Sequence, residues 1–194
     1  MKRSIVVLSA LVLVAGIATG VSAQSKNGRA KAATGAPESD VYDAASAMAI
    51  LQSTAGEWKD TSSNYDIGGP VTVKTKAAGS AVFFNYEQGK PTEMETVFHM
   101  DGEGKLMLTH YCAAQNAPVL QFQKSDKPGE LKFVFVGGTN FDPKVDHHFH
   151  DQVLQVIDAN TIEQRTTVWH RGKATDKELI AVLQRQSGAR PSTK

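Results

Sequence analysis

The sequence predicts an all-β fold: an up-and-down antiparallel β-barrel of about ten strands with a short N-terminal helix. Three observations carry that expectation. From Glu57 onward the apolar pattern has a period of two, turn residues recur about every eight to twelve positions, and the connections are of hairpin length with no βαβ spacing. Such a series favours a meander closed into a barrel over an open sandwich.

The elements follow in chain order. Residues 1–23 have the three-part layout of a secretory signal peptide. Met1-Lys2-Arg3 is basic, residues 5–18 are apolar apart from Ser9 and Gly16, and Val21-Ser22-Ala23 offers small residues ahead of cleavage between Ala23 and Gln24. A membrane-spanning helix needs roughly 20 apolar residues, and no Cys follows for lipid attachment. The expectation is an exported chain, periplasmic or extracellular, with no stable membrane insertion. Residues 24–41 are small and polar and read as a flexible leader, and residues 186–194 as a disordered tail. All 14 aromatic residues lie between Tyr42 and Trp169, which places the folded domain at residues 42–185.

Charge excludes one class of partner. The chain has 21 Lys and Arg against 20 Asp and Glu, and losing Lys2 and Arg3 with the signal peptide would leave it close to neutral. A near-neutral chain lacks the basic footprint of a nucleic-acid binder. The single Cys112 excludes an intramolecular disulfide.

Residues 43–53 form the predicted helix, capped by Asp40 or Asp43, with Ala44, Ala47, Met48, Leu51 and Ala55 on one face and Gly56 placed to end it. Strands are expected from about Glu57 and over residues 71–76, 81–86, 93–100, 105–112, 119–123, 131–136, 149–157, 161–169 and 178–184.

Two hairpins specify which side chains share a face. Pairing Met100 with Lys105 sets His99 opposite Leu106, Val97 opposite Leu108, Glu95 opposite His110 and Glu93 opposite Cys112. The other face then carries Phe98, Thr96 and Met94 with Met107, Thr109 and Tyr111. A slip of one residue would dissolve this grouping. In the second hairpin, pairing Ile157 with Thr161 sets Val156 opposite Ile162, Leu154 opposite Gln164, Gln152 opposite Thr166, His150 opposite Val168 and His148 opposite His170. That face is apolar at its turn end and polar and histidine-rich at the other, as in a barrel closed at one end and ligand-lined at the other.

The chemistry-bearing residues follow from these faces. Glu95 beside His110 would make an acid/base pair, because a carboxylate orients and raises the pKa of a facing imidazole. Cys112 would stand about 7 Å from His110 on the same strand, too far for direct proton transfer. In Asp146-His147-His148-Phe149-His150-Asp151, the imidazoles of His148 and His150 share a strand face and are candidate metal ligands. A zinc ion would need a third ligand, such as His170 or Glu95, and the bland alternative is a polar barrel rim. Trp58 reads as a plug for one barrel end, and Gly137-Gly138-Thr139-Asn140 as a turn at a strand end.

Gly56-Glu57-Trp58 after a short helix, followed by a β meander, resembles the lipocalin-like (calycin) barrels. Thr109-His110-Tyr111-Cys112, with Glu93-Met94 and His99 upstream and His148 and His150 downstream, is similar to a group of uncharacterised exported bacterial proteins of that kind. The resemblance covers about residues 50–170 and implies an up-and-down barrel with a central cavity. Haem-binding members of the wider group use a histidine ligand, a part for which His99, His110 and His148 would be the candidates here.

The functional expectation is an exported barrel that binds a small, largely apolar molecule, with Glu95, His110, Cys112, His148, His150 and Gln164 as the polar ligand-binding set. The alternatives are a Glu/His-based or metal-dependent enzyme and an envelope protein-binding module that uses an edge strand or the rim.

Overall fold

The computed structural model describes residues 42–62 and 69–187. The predicted signal peptide, the leader and the tail beyond Ser187 lie outside the described residues. Helix α1 (Ala44–Ser53) is followed by ten strands: β1 (Gly56–Asp60), β2 (Pro70–Lys76), β3 (Ala81–Tyr86), β4 (Met94–Met100), β5 (Leu106–Tyr111), β6 (Ala117–Gln123), β7 (Glu130–Thr139), β8 (His148–Asp158), β9 (Thr161–His170) and β10 (Lys173–Arg185). Every strand pairs antiparallel with its neighbour in sequence, and β1 pairs with β10 to close the barrel. The predicted fold class is therefore the observed one, a closed ten-stranded antiparallel barrel compatible with the lipocalin-like architecture. Among the described residues no helix is long and apolar enough to cross a membrane.

Asp43, rather than Asp40, caps α1. Its Oδ1 accepts from the backbone N–H of Ser46 at 2.8 Å, and the Ser46 hydroxyl accepts from the Asp43 N–H at 3.0 Å, a reciprocal capping box. Of the predicted face, Ala44, Ala47, Met48 and Leu51 are buried and join one core with Trp58, Leu106, Leu131, Leu154, Ile162 and Leu183. Helix α1 ends at Ser53, however, and Ala55 lies half-buried beyond it. The side chain of Gln52 donates to the carbonyl of Gly79 at 2.7 Å, which ties α1 to the β2–β3 turn. Trp58 is buried as expected, its indole N–H donating to the Thr54 carbonyl at 2.9 Å. The helix and Trp58 thus fill the end of the barrel where the β2–β3, β4–β5, β6–β7 and β8–β9 turns lie.

The second hairpin keeps the predicted register over its middle, with Val156 opposite Ile162, Leu154 opposite Gln164 and Gln152 opposite Thr166, while an irregularity at the turn pairs Thr161 with Asp158 instead of Ile157. It then departs from that register. An irregularity between Phe149 and Asp151 places Phe149, not His150, opposite Val168, and His148 opposite Trp169 instead of His170. The first hairpin is shifted by one residue throughout. Asp101 and Lys105 close the loop, with the Asp101 N–H donating to the Lys105 carbonyl at 2.8 Å and Lys105 Nζ 2.7 Å from the Asp101 carboxylate. Gly102 and Gly104, at φ 81° and 71°, take the left-handed conformations that this short loop requires. Met100 consequently pairs with Leu106, Phe98 with Leu108, Thr96 with His110 and Glu95 with Tyr111.

Strand β10 starts at Lys173, five residues earlier than expected, and extends the β9 hairpin past a second irregularity between Ala174 and Glu178. The glycines of the 137–140 segment finish β7 instead of forming a turn. A Cβ on Gly138 would stand 2.4 Å from the Phe141 ring and 2.8 Å from the Ala117 carbonyl, so only glycine lets Phe141 fold over the strand.

If α1 seals this end, truncating its most buried contact must loosen the whole barrel. Leu51→Ala is expected to cost about 3 kcal/mol, in the range typical of buried leucines. Urea unfolding followed by tryptophan fluorescence measures the effect, and an unchanged midpoint would show that α1 is dispensable to the core.

Candidate functional site

Alternation along the closed barrel sends one side chain in two into the lumen. Near α1 the lumen is packed with aliphatic and aromatic groups. Phe84, Phe98, Phe133 and Phe122 form an edge-on chain with centroids 5.2–5.8 Å apart. Towards the opposite end the lining changes to Tyr86, Met94, Thr96, His110, Phe149, Gln152, Gln164, Thr166, Leu179 and Ala181, which surround a pocket. Its void is about 360 Å³ including the opening, of which about 20 Å³ is open to the centre of a water molecule. The enclosed part takes a water or a slim ligand group, and the body of a larger ligand would extend into the opening.

His110 is the most constrained polar group here. It is only 3% exposed, and its Nδ1 lies 2.8 Å from the hydroxyl of Thr96, its directly opposed partner on β4. Its ring stacks on Phe149 at 4.4 Å. Burial pushes its pKa down to about 4, so the imidazole is neutral near pH 7. Its Nε2 is buried with no hydrogen-bond partner among the described residues. Gln164, 4% exposed, accepts a hydrogen bond from the Tyr86 hydroxyl through Oε1 at 3.1 Å, while its Nε2 is likewise buried without a partner. Buried polar atoms are nearly always satisfied, so two orphans on one small pocket mark a place built to meet something.

The structure brings together two of the six predicted site residues, His110 and Gln164. Glu95 is placed differently, because the one-residue shift pairs it with Tyr111, which is 54% exposed, and turns it to the outer surface. There it lies beside Lys74, Lys76, Phe83 and Asn85, and the expected Glu95–His110 pair does not form. Cys112 lies past the end of β5 in a turn, its carbonyl accepting from the Gln115 N–H at 2.9 Å. It is half-buried, with burial pushing its thiol pKa up, and it does not line the pocket. His148 and His150 flank the inward-facing Phe149 and therefore project to the outer face. They sit among Phe135, Phe141 and Trp169 there, with the ring of His150 3.7 Å from that of Trp169. His148 is buried with its Nδ1 3.0 Å from the Asp146 carbonyl, and desolvation lowers the pKa of His150.

Neither inorganic group considered from the sequence fits this arrangement. The two imidazoles of the outer cluster are stacked 5.6 Å apart, and among the described residues no three His, Cys, Asp or Glu side chains converge as a metal-ligand set. His99 faces outward beside Met107, and His148 is enclosed by aromatic rings. A porphyrin reaching His110 would have to displace Phe149 and occupy a pocket far narrower than the macrocycle.

Sequence reasoning missed Tyr86, Met94, Thr96, Phe149, Gln152, Thr166, Leu179 and Ala181 as site residues. Alternation from Val82 and Phe84 pointed to Tyr86, and the correct Gln152–Thr166 pairing was available. Thr96 was hidden by the register shift and Phe149 by the bulge. The chain matches no protein-family model, and no curated protein matches it significantly in sequence.

The neutral burial of His110 has a pH signature. The native pKa lies below the unfolded value near 6.5, so the unfolded chain takes up a proton first as pH falls. Stability tied to His110 is complete above pH 6.5, falls between 6.5 and 4, and levels off below. The loss is on the order of 3 kcal/mol. Urea midpoints measured from pH 4 to 7 are expected to show a shallower slope for His110→Gln than for the wild type, and equal slopes would contradict the assignment.

Proposed function

We propose that this chain is an exported binding barrel for a compact, largely apolar small molecule, of the kind met in the uncharacterised exported bacterial lipocalin-like proteins. The observation that carries the reading is the pocket at the barrel end opposite α1. Its walls include Met94, Phe149, Leu179 and Ala181, and it keeps two buried polar atoms without protein partners, His110 Nε2 and Gln164 Nε2. Apolar walls with a few placed polar groups are the usual make-up of a small-molecule site. The anchors are His110 and Gln164 with Tyr86 and Thr96, in place of the wider set read from sequence.

The alternatives have less to stand on. The enzyme reading rested on Glu95 acting with His110, and these residues occupy opposite faces of β4–β5. A binding module working through strand addition needs an open edge, and a closed barrel offers none. Export follows from the basic, apolar and small-residue order of residues 1–23.

Two measurements test the proposal. N-terminal sequencing of protein recovered from a periplasmic or culture fraction should start at Gln24, whereas a cytosolic chain retaining Lys2 would overturn export. Native mass spectrometry of that same material should show a bound mass that denaturation releases. Ala181→Phe, which fills the lumen, should lose it. Wild type and variant both flying at their unliganded masses would contradict binding.

A further inference from the structure

The pocket also specifies the chemical class of its ligand, an inference that rests on the binding reading above. The Thr96–His110 hydrogen bond can be made in two ways. If His110 Nδ1 carried the proton, it would donate to Thr96 Oγ1, leaving the threonine hydroxyl proton without an acceptor and Nε2 as a bare lone pair. If Thr96 donates to Nδ1, the hydroxyl proton is used and the imidazole proton sits on Nε2. The second arrangement leaves one unmet group rather than two, and unmet buried groups are costly. At Gln164, the Tyr86 hydroxyl already supplies a proton to Oε1, so the unmet group there is the amide NH₂. Both orphans are therefore N–H donors.

Among the described residues no charged side chain lines the pocket. Gln152 and Thr166 are adaptable and serve either role. The geometry points to a neutral ligand with a hydrogen-bond acceptor and no donor of its own, a ketone, ester or similar carbonyl compound, held by His110 Nε2 and Gln164 Nε2. Its hydrocarbon body would lie against Met94, Phe149 and Leu179. An ammonium group would oppose two donors. A carboxylate would lose its hydration with no cation to replace it, which disfavours it although it accepts hydrogen bonds.

A matched set of probes tests this on the folded, ¹⁵N-labelled protein by NMR titration: cyclopentanone, methylcyclopentane, cyclopentanecarboxylate and cyclopentylamine. Cyclopentanone should bind about tenfold more tightly than methylcyclopentane, as expected for the meeting of unpaired buried donors. It should shift the Gln164 side-chain amide and the His110 ring nitrogens, and the two charged probes should bind weakest. Gln164→Met should reduce the ketone preference several-fold while leaving methylcyclopentane binding in place. In the free protein, the ¹⁵N shifts of His110 should report the Nε2–H tautomer. If methylcyclopentane binds as tightly as cyclopentanone, the barrel binds small molecules but the ligand class is wrong. A charged probe binding tightest, or a Nδ1–H tautomer, overturns the inference in the same way. If none of the four shifts a lumen resonance, the binding reading fails and the inference falls with it.

Discussion

The seam between β1 and β10 is the constraint on which the rest depends. Among the described residues three pairs register across it, Trp58 with Arg185, Lys59 with Gln184 and Asp60 with Leu183. The N–H groups of Thr61 and Gln186 extend it by donating to the Val182 and Glu57 carbonyls at 2.8 Å. Arg185 is the clasp. Its guanidinium lies 4.2 Å over the Trp58 ring, its Nη1 donates to the Ala55 carbonyl at 2.9 Å, and its Nε donates to the Ala159 carbonyl at 2.7 Å. One side chain thus joins the end of α1, the first strand and the β8–β9 turn. Closure gives the sheet an inside, and an inside gives each alternate residue a fixed role.

With closure fixed, the lumen divides by composition. The α1 end is a packed core of leucines and edge-on phenylalanines, which supplies the stability. The opposite end keeps polar side chains that a core would exclude: His110, Thr96, Gln152, Gln164 and Thr166. Burying these groups works against stability unless each finds a partner. Thr96 partners His110 and Tyr86 partners Gln164, while His110 Nε2 and Gln164 Nε2 have no partner among the described residues. Division into a stabilising end and a polar end explains why one small domain carries its site inside the fold and not on its loops.

Much of the fold was legible in the sequence because period-two alternation and hairpin-length loops are local signals. The capped helix, the ten strands and the register of β8–β9 from Gln152 to Val156 all follow from such signals. The site was legible only in part. His110 and Gln164 were identified, His110 correctly grouped with Leu106 and Leu108, but Glu95 was assigned to the wrong face. Whether Met100 pairs with Lys105 or with Leu106 is decided by the two left-handed glycines and the Asp101–Lys105 contact, a difference of one residue that inverts all of β4. The bulge at His150 has no comparable local signature. It moves two histidines from the lumen to an outer aromatic cluster and puts Phe149 against His110.

If the orphan donors of the lumen are there for a ligand, a high-resolution crystal structure of protein purified without refolding will show density between Met94, Phe149 and Leu179, with an acceptor atom within hydrogen-bond distance of both His110 Nε2 and Gln164 Nε2. Side chains closing over that space, with both nitrogens bonded to acceptors of the protein itself, would contradict that role.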